Sequence, residues 1–110
     1  MDNLKIFFIG SVEIGHTVLQ SIYKITKVHT IITLPLKKSS DTSGFIDFKN
    51  IANKQSSNLI RTLNTNTPEI ISIIQKEKPD LIIVCGWQRL ICKEILDIPK
   101  LGTIGFHSSL

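Results

Sequence analysis

Asp80-Leu81-Ile82-Ile83-Val84-Cys85-Gly86 is the stretch that decides the fold. Five apolar residues, from Leu81 to Cys85, run without a polar interruption between Pro79-Asp80 and a glycine. A run that is apolar on both faces and rich in β-branched residues reads as a strand buried on both sides, the signature of a parallel sheet covered by helices. Reading backward, Ile70, Ile71, Ile73 and Ile74 mark a helix that opens at Pro68 and closes before Pro79, with proline where a first helical turn tolerates it. Residues 64–67 form a polar turn, and Asn58-Leu59-Ile60-Arg61 is a weak strand before it. Reading forward, residues 90–96 are expected to be helical, Pro99 follows, and Gly102-Thr103-Ile104-Gly105-Phe106 is a last strand.

The amino-terminal half repeats the alternation. Leu4-Lys5-Ile6-Phe7-Phe8-Ile9 is a second buried strand and ends at Gly10-Ser11. Ile14, Val18, Leu19 and Ile22 lie on one face of a helix over residues 12–23, with Ser11 placed to cap it. The β-branched segment from Val28 to Leu34 is a strand stopped by Pro35. Residues 35–44 read as a flexible polar surface loop, and residues 45–54 as a short helix with Phe48, Ile51 and Ala52 on one side. Strands alternating with helices give an α/β fold: an open, mostly parallel, Rossmann-like sheet with helices on both faces. Residues 1–110 suit one domain and leave no room for a second core. Ligands in such sheets bind beyond the carboxyl ends of the strands. Those ends are Gly10-Ser11, Leu34-Pro35, Cys85-Gly86-Trp87 and Phe106-His107. The first strand is expected inside the sheet, with Ile6, Phe8, Ile82 and Val84 largely buried.

Composition narrows the function classes. An apolar share of 42% with 20% charged residues is that of a folded domain. No apolar run approaches the ~20 residues of a membrane span, and the first apolar run lacks the length and basic flank of a signal peptide. A cytoplasmic protein without a membrane partner is expected. The net charge of +4 is spread out, Lys37-Lys38 is the only adjacent basic pair, and aromatics are 6% of the chain. Charge therefore makes no case for a nucleic-acid partner. Cys85 and Cys92 have neither zinc nor redox spacing and read as two buried thiols in a reducing compartment. His16 and His29 are isolated and read as structural, and no histidine–carboxylate set has metal-ligand spacing.

Two places carry chemistry on their own terms. Gly10-Ser11-Val12-Glu13-Ile14-Gly15 links a strand to a helix but has Val12 where a dinucleotide fingerprint needs its second glycine, so nicotinamide binding is excluded. What remains is a plain tight turn or a contact between its backbone amides and an anionic substrate, and the spacing does not choose between them. His107 follows a strand at the ligand-binding rim. An imidazole with a pKa near ~6.5 gives or takes a proton at cellular pH.

Taken together, the opening Lys5–Glu13 segment, the run from Lys78 to Ile91 and the ending Leu101–Leu110 resemble the N-terminal part of the folate-dependent formyltransferase family. The opening turn and Trp87-Gln88-Arg89-Leu90-Ile91 look most like the branch that formylates amino-sugar nucleotides. The alternatives are the corresponding part of a methionyl-tRNA formyltransferase and a non-catalytic folate-binding remnant. The family's catalytic strand usually reads Asn-x-His-x-Ser-Leu-Leu-Pro. His107 matches its histidine, Gly105 stands where its asparagine is usual, and its aspartate would lie tens of residues beyond Leu110. The resemblance thus implies a sheet cut short at its carboxyl-terminal end, with the first and fourth strands adjacent, and little turnover by these residues alone. It further implies 10-formyltetrahydrofolate as co-substrate, held largely by backbone groups of Trp87, Gln88, Arg89, Leu90 and Ile91. A small-molecule acceptor would contact Gly10 and Ser11, and His107 would be catalytic. The oligomeric state stays open.

Overall fold

The structure, a computed structural model, describes residues 4–106. Five strands alternate with four helices: β1 (Ile6–Ile9), α1 (Glu13–Tyr23), β2 (Thr30–Thr33), α2 (Lys49–Gln55), β3 (Asn58–Arg61), α3 (Pro68–Glu77), β4 (Leu81–Cys85), α4 (Lys93–Leu96) and β5 (Thr103–Phe106). All neighbouring strands are parallel, in the order β3-β2-β1-β4-β5. The first strand is interior and beside the fourth, as expected.

The register explains why β1 and β4 are apolar throughout. Leu59, Ile31, Phe8, Ile83 and Ile104 form one row across the sheet, and Ile60, Ile32, Ile9, Val84 and Gly105 form the next. Successive rows face opposite sides of a pleated sheet. The Phe8 row packs with Leu19 of α1 and with Phe48 and Ala52 at α2. The Ile9 row packs with Ile70 and Ile74 of α3 and Ile95 of α4. Ile6, Phe8 and Ile82 are buried, while Val84 is only partly so, because its neighbour on β5 is Gly105, which has no side chain to cover it. Phe7 and Phe8 are fully enclosed on opposite faces. Each contributes on the order of 1.5–3 kcal/mol relative to an exposed side chain.

Several local expectations are corrected. Ser11 does not cap α1: Val12 is the N-cap, without a side-chain bond, and the Ser11 hydroxyl is committed to the Gly86 carbonyl. The loop after β2 is not featureless, since Leu36–Asp41 winds into a 3₁₀ helix behind Pro35. Its far end is tied down, with the Glu13 amide on the Gly44 carbonyl and the Ile46 amide on the Ser11 carbonyl. That pairing holds Phe45 in a bridge with Val12, and α2 starts only at Lys49. Helix α4 spans four residues rather than the whole of residues 90–96. Helix α3 begins as read, with the Thr67 hydroxyl capping the Ile70 amide and proline in its first turn.

Candidate active site

Three glycines bring the ends of β1 and β4 together. A side chain at Gly10 or Gly15 would collide with the Cys85 carbonyl oxygen. Gly86 turns the chain out of β4 with φ 71°, in the left-handed region, and a Cβ there would sit 2.7 Å from a Val12 methyl. The Ser11 amide and hydroxyl both donate to the Gly86 carbonyl, at 3.0 and 3.2 Å. The Gly10 amide donates to the Ile32 carbonyl and the Glu13 amide to the Gly44 carbonyl. Three amides of the opening turn are therefore engaged within the protein, and Ser11 is 2% exposed.

Beyond Gly86 the chain runs irregularly to the start of α4. Trp87 is partly buried against the α3–α4 face of the core, and its indole Nε1 is enclosed without a hydrogen-bond partner among the described residues. Gln88, Arg89 and Leu90 are exposed, Leu90 at 88%. The loop is held at its far end by one side chain from the turn between β3 and α3. Asn66 Nδ2 donates to the Leu90 carbonyl at 3.2 Å, and the Cys92 amide donates to Asn66 Oδ1 at 2.8 Å. Asn66 itself is steadied by its own amide on Asn64 Oδ1, at 2.9 Å, and by the hydroxyl of buried Thr65, at 3.2 Å.

This loop separates two cavities. One, of about 600 Å³ and mostly apolar, lies between the loop and β5. Val84, Trp87, Ile91, Leu96, Thr103 and Gly105 contribute to its wall. Gly105 shares its row with Val84, so the absence of a side chain there leaves the β5 side of the cavity open. The other, of about 310 Å³, is more polar and is bounded by Ser11, Asp41, Thr42, Gln88 and Arg89. Trp87 lines both. A basic groove of about 590 Å³ lies at the opposite ends of the strands, where Lys5 and His29 both face Glu77.

Of the residues singled out in the sequence, Gly10, Ser11 and Trp87 to Ile91 come together at the carboxyl ends of β1 and β4. His107 lies outside the described residues; Phe106, the last residue of β5, pairs with Cys85 at this same rim. His16 packs edge-on against Phe48, and His29 stacks on Phe7 with Nδ1 2.7 Å from the Thr30 hydroxyl, so both are accounted for structurally. Cys85 is buried, which pushes its thiol pKa up, and Cys92 is only half-buried, against the expectation of two enclosed thiols. Asn66, Asp41 and Thr42 were not legible as site residues. The signal for Asn66 is the alternation Thr62, Asn64, Asn66 ahead of a capping Thr67-Pro68, which marks a turn with side chains bonded to backbone.

A parallel open sheet with a glycine junction at its rim, and cavities on both sides of the loop that follows, make this an open α/β domain whose concave surfaces lie at the rim where such sheets bind ligands. The sequence profile of the formyl transferase family matches residues 4–110. The chain belongs to that family. The methionyl-tRNA formyltransferase of Clostridium perfringens (strain SM101 / Type A) is 32% identical over 110 residues, covering 97% of this chain and 36% of that protein. The methionyl-tRNA formyltransferase of Francisella tularensis subsp. tularensis (strain WY96-3418) is 30% identical over 114 residues, covering all of this chain and 36% of that protein. The chain thus spans about a third of the length of these curated relatives, which are named as methionyl-tRNA formyltransferases and not as the amino-sugar-nucleotide enzymes expected from the opening turn and Trp87–Ile91. Among the described residues no helix is long and apolar enough to cross a membrane.

Proposed function

We propose that this chain forms the formyl-donor half of a transfer from 10-formyltetrahydrofolate to an amine, and that the amine belongs to methionyl-tRNA. The mostly apolar cavity between residues 86–92 and β5 carries the reading. Its size suits the ring system of a folate. Irregular backbone along one side supplies amides and carbonyls, and Trp87 supplies an aromatic wall. The acceptor approaches through the polar cavity at Ser11, Asp41 and Arg89, so that donor and acceptor meet at the rim beyond Trp87.

In the reaction the amine nitrogen attacks the formyl carbon, giving a tetrahedral intermediate with negative charge on oxygen and positive charge on nitrogen. Its collapse forms the new C–N bond and breaks the bond to the folate nitrogen, while one proton moves from the amine to that leaving nitrogen. His107 is assigned to the proton transfer, a role worth ~10²–10⁴ in rate. Gly105 has no side chain with which to stabilise the oxyanion, a contribution usually worth ~10²–10³. A backbone amide is the donor this chain has to offer in its place.

Trp87 is the single tryptophan, which makes the test direct. Titration with 5-formyltetrahydrofolate, a non-transferring analogue, should change its emission saturably, and the absence of any binding overturns the reading. Single-turnover transfer of labelled formyl should then place label on methionyl-tRNA and none on amino-sugar nucleotides. The reverse result returns the acceptor to the amino-sugar class.

A further inference from the structure

We propose that Asn66 is a positioning residue for the donor loop: its carboxamide fixes the loop's outer half and the start of α4 in the shape that the donor cavity requires. Among the described residues the loop has only two anchors of this kind. At its inner end Gly86 is bound by Ser11, and at its outer end Asn66 spans the Leu90 carbonyl and the Cys92 amide. Between the anchors the side chains of Gln88 and Arg89 make no hydrogen bond among the described residues, and Leu90 projects into solvent.

The chemistry of the residue matters. Spanning a carbonyl and an amide two residues apart needs one donor and one acceptor on a short rigid stem, which a carboxamide provides and a carboxylate does not. Cys92 is also the N-cap of α4, its carbonyl receiving the Ile95 and Leu96 amides. Fixing the Cys92 amide therefore fixes the helix whose Leu96 reaches the cavity. The same clamp explains why residues 90–92 are not helical. Their backbone groups are bound to a turn 24 to 26 residues away, and Cys92 is held extended at φ −68°, ψ 155°.

The assignment of the loop to a folate rests on the proposed function; the clamp itself is read by a measurement that does not need the folate. Hydrogen exchange on the whole chain should show the Cys92 amide and its neighbours exchanging about 10-fold faster in Asn66→Ala, as expected for losing two modest bonds. Amides of α3 should change less than about twofold by the same reasoning. Asn66→Asp keeps the acceptor, so it should retain protection at Cys92 while loosening the Leu90 side, and it serves if the alanine variant does not fold. Ser57→Ala, which breaks bonds to the Val28 carbonyl and the Tyr23 hydroxyl without touching the loop or Asn66, is the control and should leave the loop rates unchanged. Affinity for 5-formyltetrahydrofolate should fall about 10-fold in Asn66→Ala, the equivalent of roughly 1.4 kcal/mol. Loop exchange equal to wild type, or an increase shared evenly by α3 and the sheet, overturns the clamp. Undiminished binding by Asn66→Ala where the wild type binds overturns the positioning role and leaves the folate reading standing. If the wild type binds no folate, that reading falls, and the exchange rates alone decide whether Asn66 holds the loop.

Discussion

Single atoms decide the geometry at the β1–β4 junction. Replacing Gly86 with alanine forces an L side chain into the left-handed region, at about 1–2 kcal/mol, and drives its Cβ into Val12. A total loss of about 2–4 kcal/mol is expected from the two effects, seen as a lower urea midpoint with an unchanged slope. Asp80 acts at the other end of the same strands. Its carboxylate accepts the Lys5 amide at 2.8 Å and lies 3.4 Å from Lys100 Nζ. The Lys5 amide first, and then the neighbouring Lys100, hold its pKa below the usual carboxylate range. A depressed folded pKa means that the stabilisation is full above the unfolded value, ~3.9. It is lost as pH falls through the folded value below that. Asp80→Asn should therefore flatten the decline of stability below about pH 4, measured as urea midpoints across the acid range. A parallel decline in both proteins would assign the acid sensitivity elsewhere, with Asp47, held low by Arg61, as the next group to test.

Elements were legible to the extent that their residues answer to their own neighbours in sequence. The runs Leu81–Cys85 and Ile6–Ile9 are buried on both faces, and every position says so. Helix α3 carries its own start signal, and Thr67→Ala should cost about 1 kcal/mol without altering the folate response of Trp87. The misreadings share one cause, a partner distant in sequence. Ser11 has the chemistry of a cap but gives its hydroxyl to a carbonyl 75 residues away. Residues 90–92 have helical composition but are taken by Asn66, and Phe45 and Ile46 by the turn before α1. Gly15 is the opposite test of propensity. Alanine in a helix interior is normally worth about 0.5–1 kcal/mol over glycine. Here its methyl meets the Cys85 carbonyl, a backbone atom that cannot swing aside. Gly15→Ala should destabilise by about 1–2 kcal/mol net, within the range of overpacking, and a gain in thermal midpoint would show that α1 stands off further than described.

At the scale of the whole molecule helices cover both faces of the sheet, while its outer strands β3 and β5 each keep one unpaired edge among the described residues, and the β5 edge is the more apolar. Among the described residues strand β5 pairs only with β4, and its Ile104 and Phe106 are 46% and 49% exposed. Unpaired edges with apolar side chains invite pairing with another chain. Concentration-dependent association is expected in sedimentation of these 110 residues, and Ile104→Lys should suppress it while leaving the fold intact. The site was only half visible in the sequence for a related reason. Loop residues such as Trp87 and Arg89 announce themselves by following a strand, whereas Asp41, Thr42 and Asn66 reach the rim from connections whose course the folded sheet alone determines.

The position of β1 at the centre of the sheet sets a timetable. Its contacts with β4 join residues 75 apart, as Ile6 to Leu81 and Ile9 to Val84, while the nearer pairing with β2 covers only one of its edges. Closing so long a loop is entropically unfavourable until the strands meet, and parallel pairings of this span slow folding. During synthesis the first hydrophobic strand to be made must wait, one edge open, until Cys85 has been added. A chain paused between the end of β2 and the start of β4 therefore exposes Ile6–Ile9 as a nascent hazard, the interval in which a chaperone has most to do.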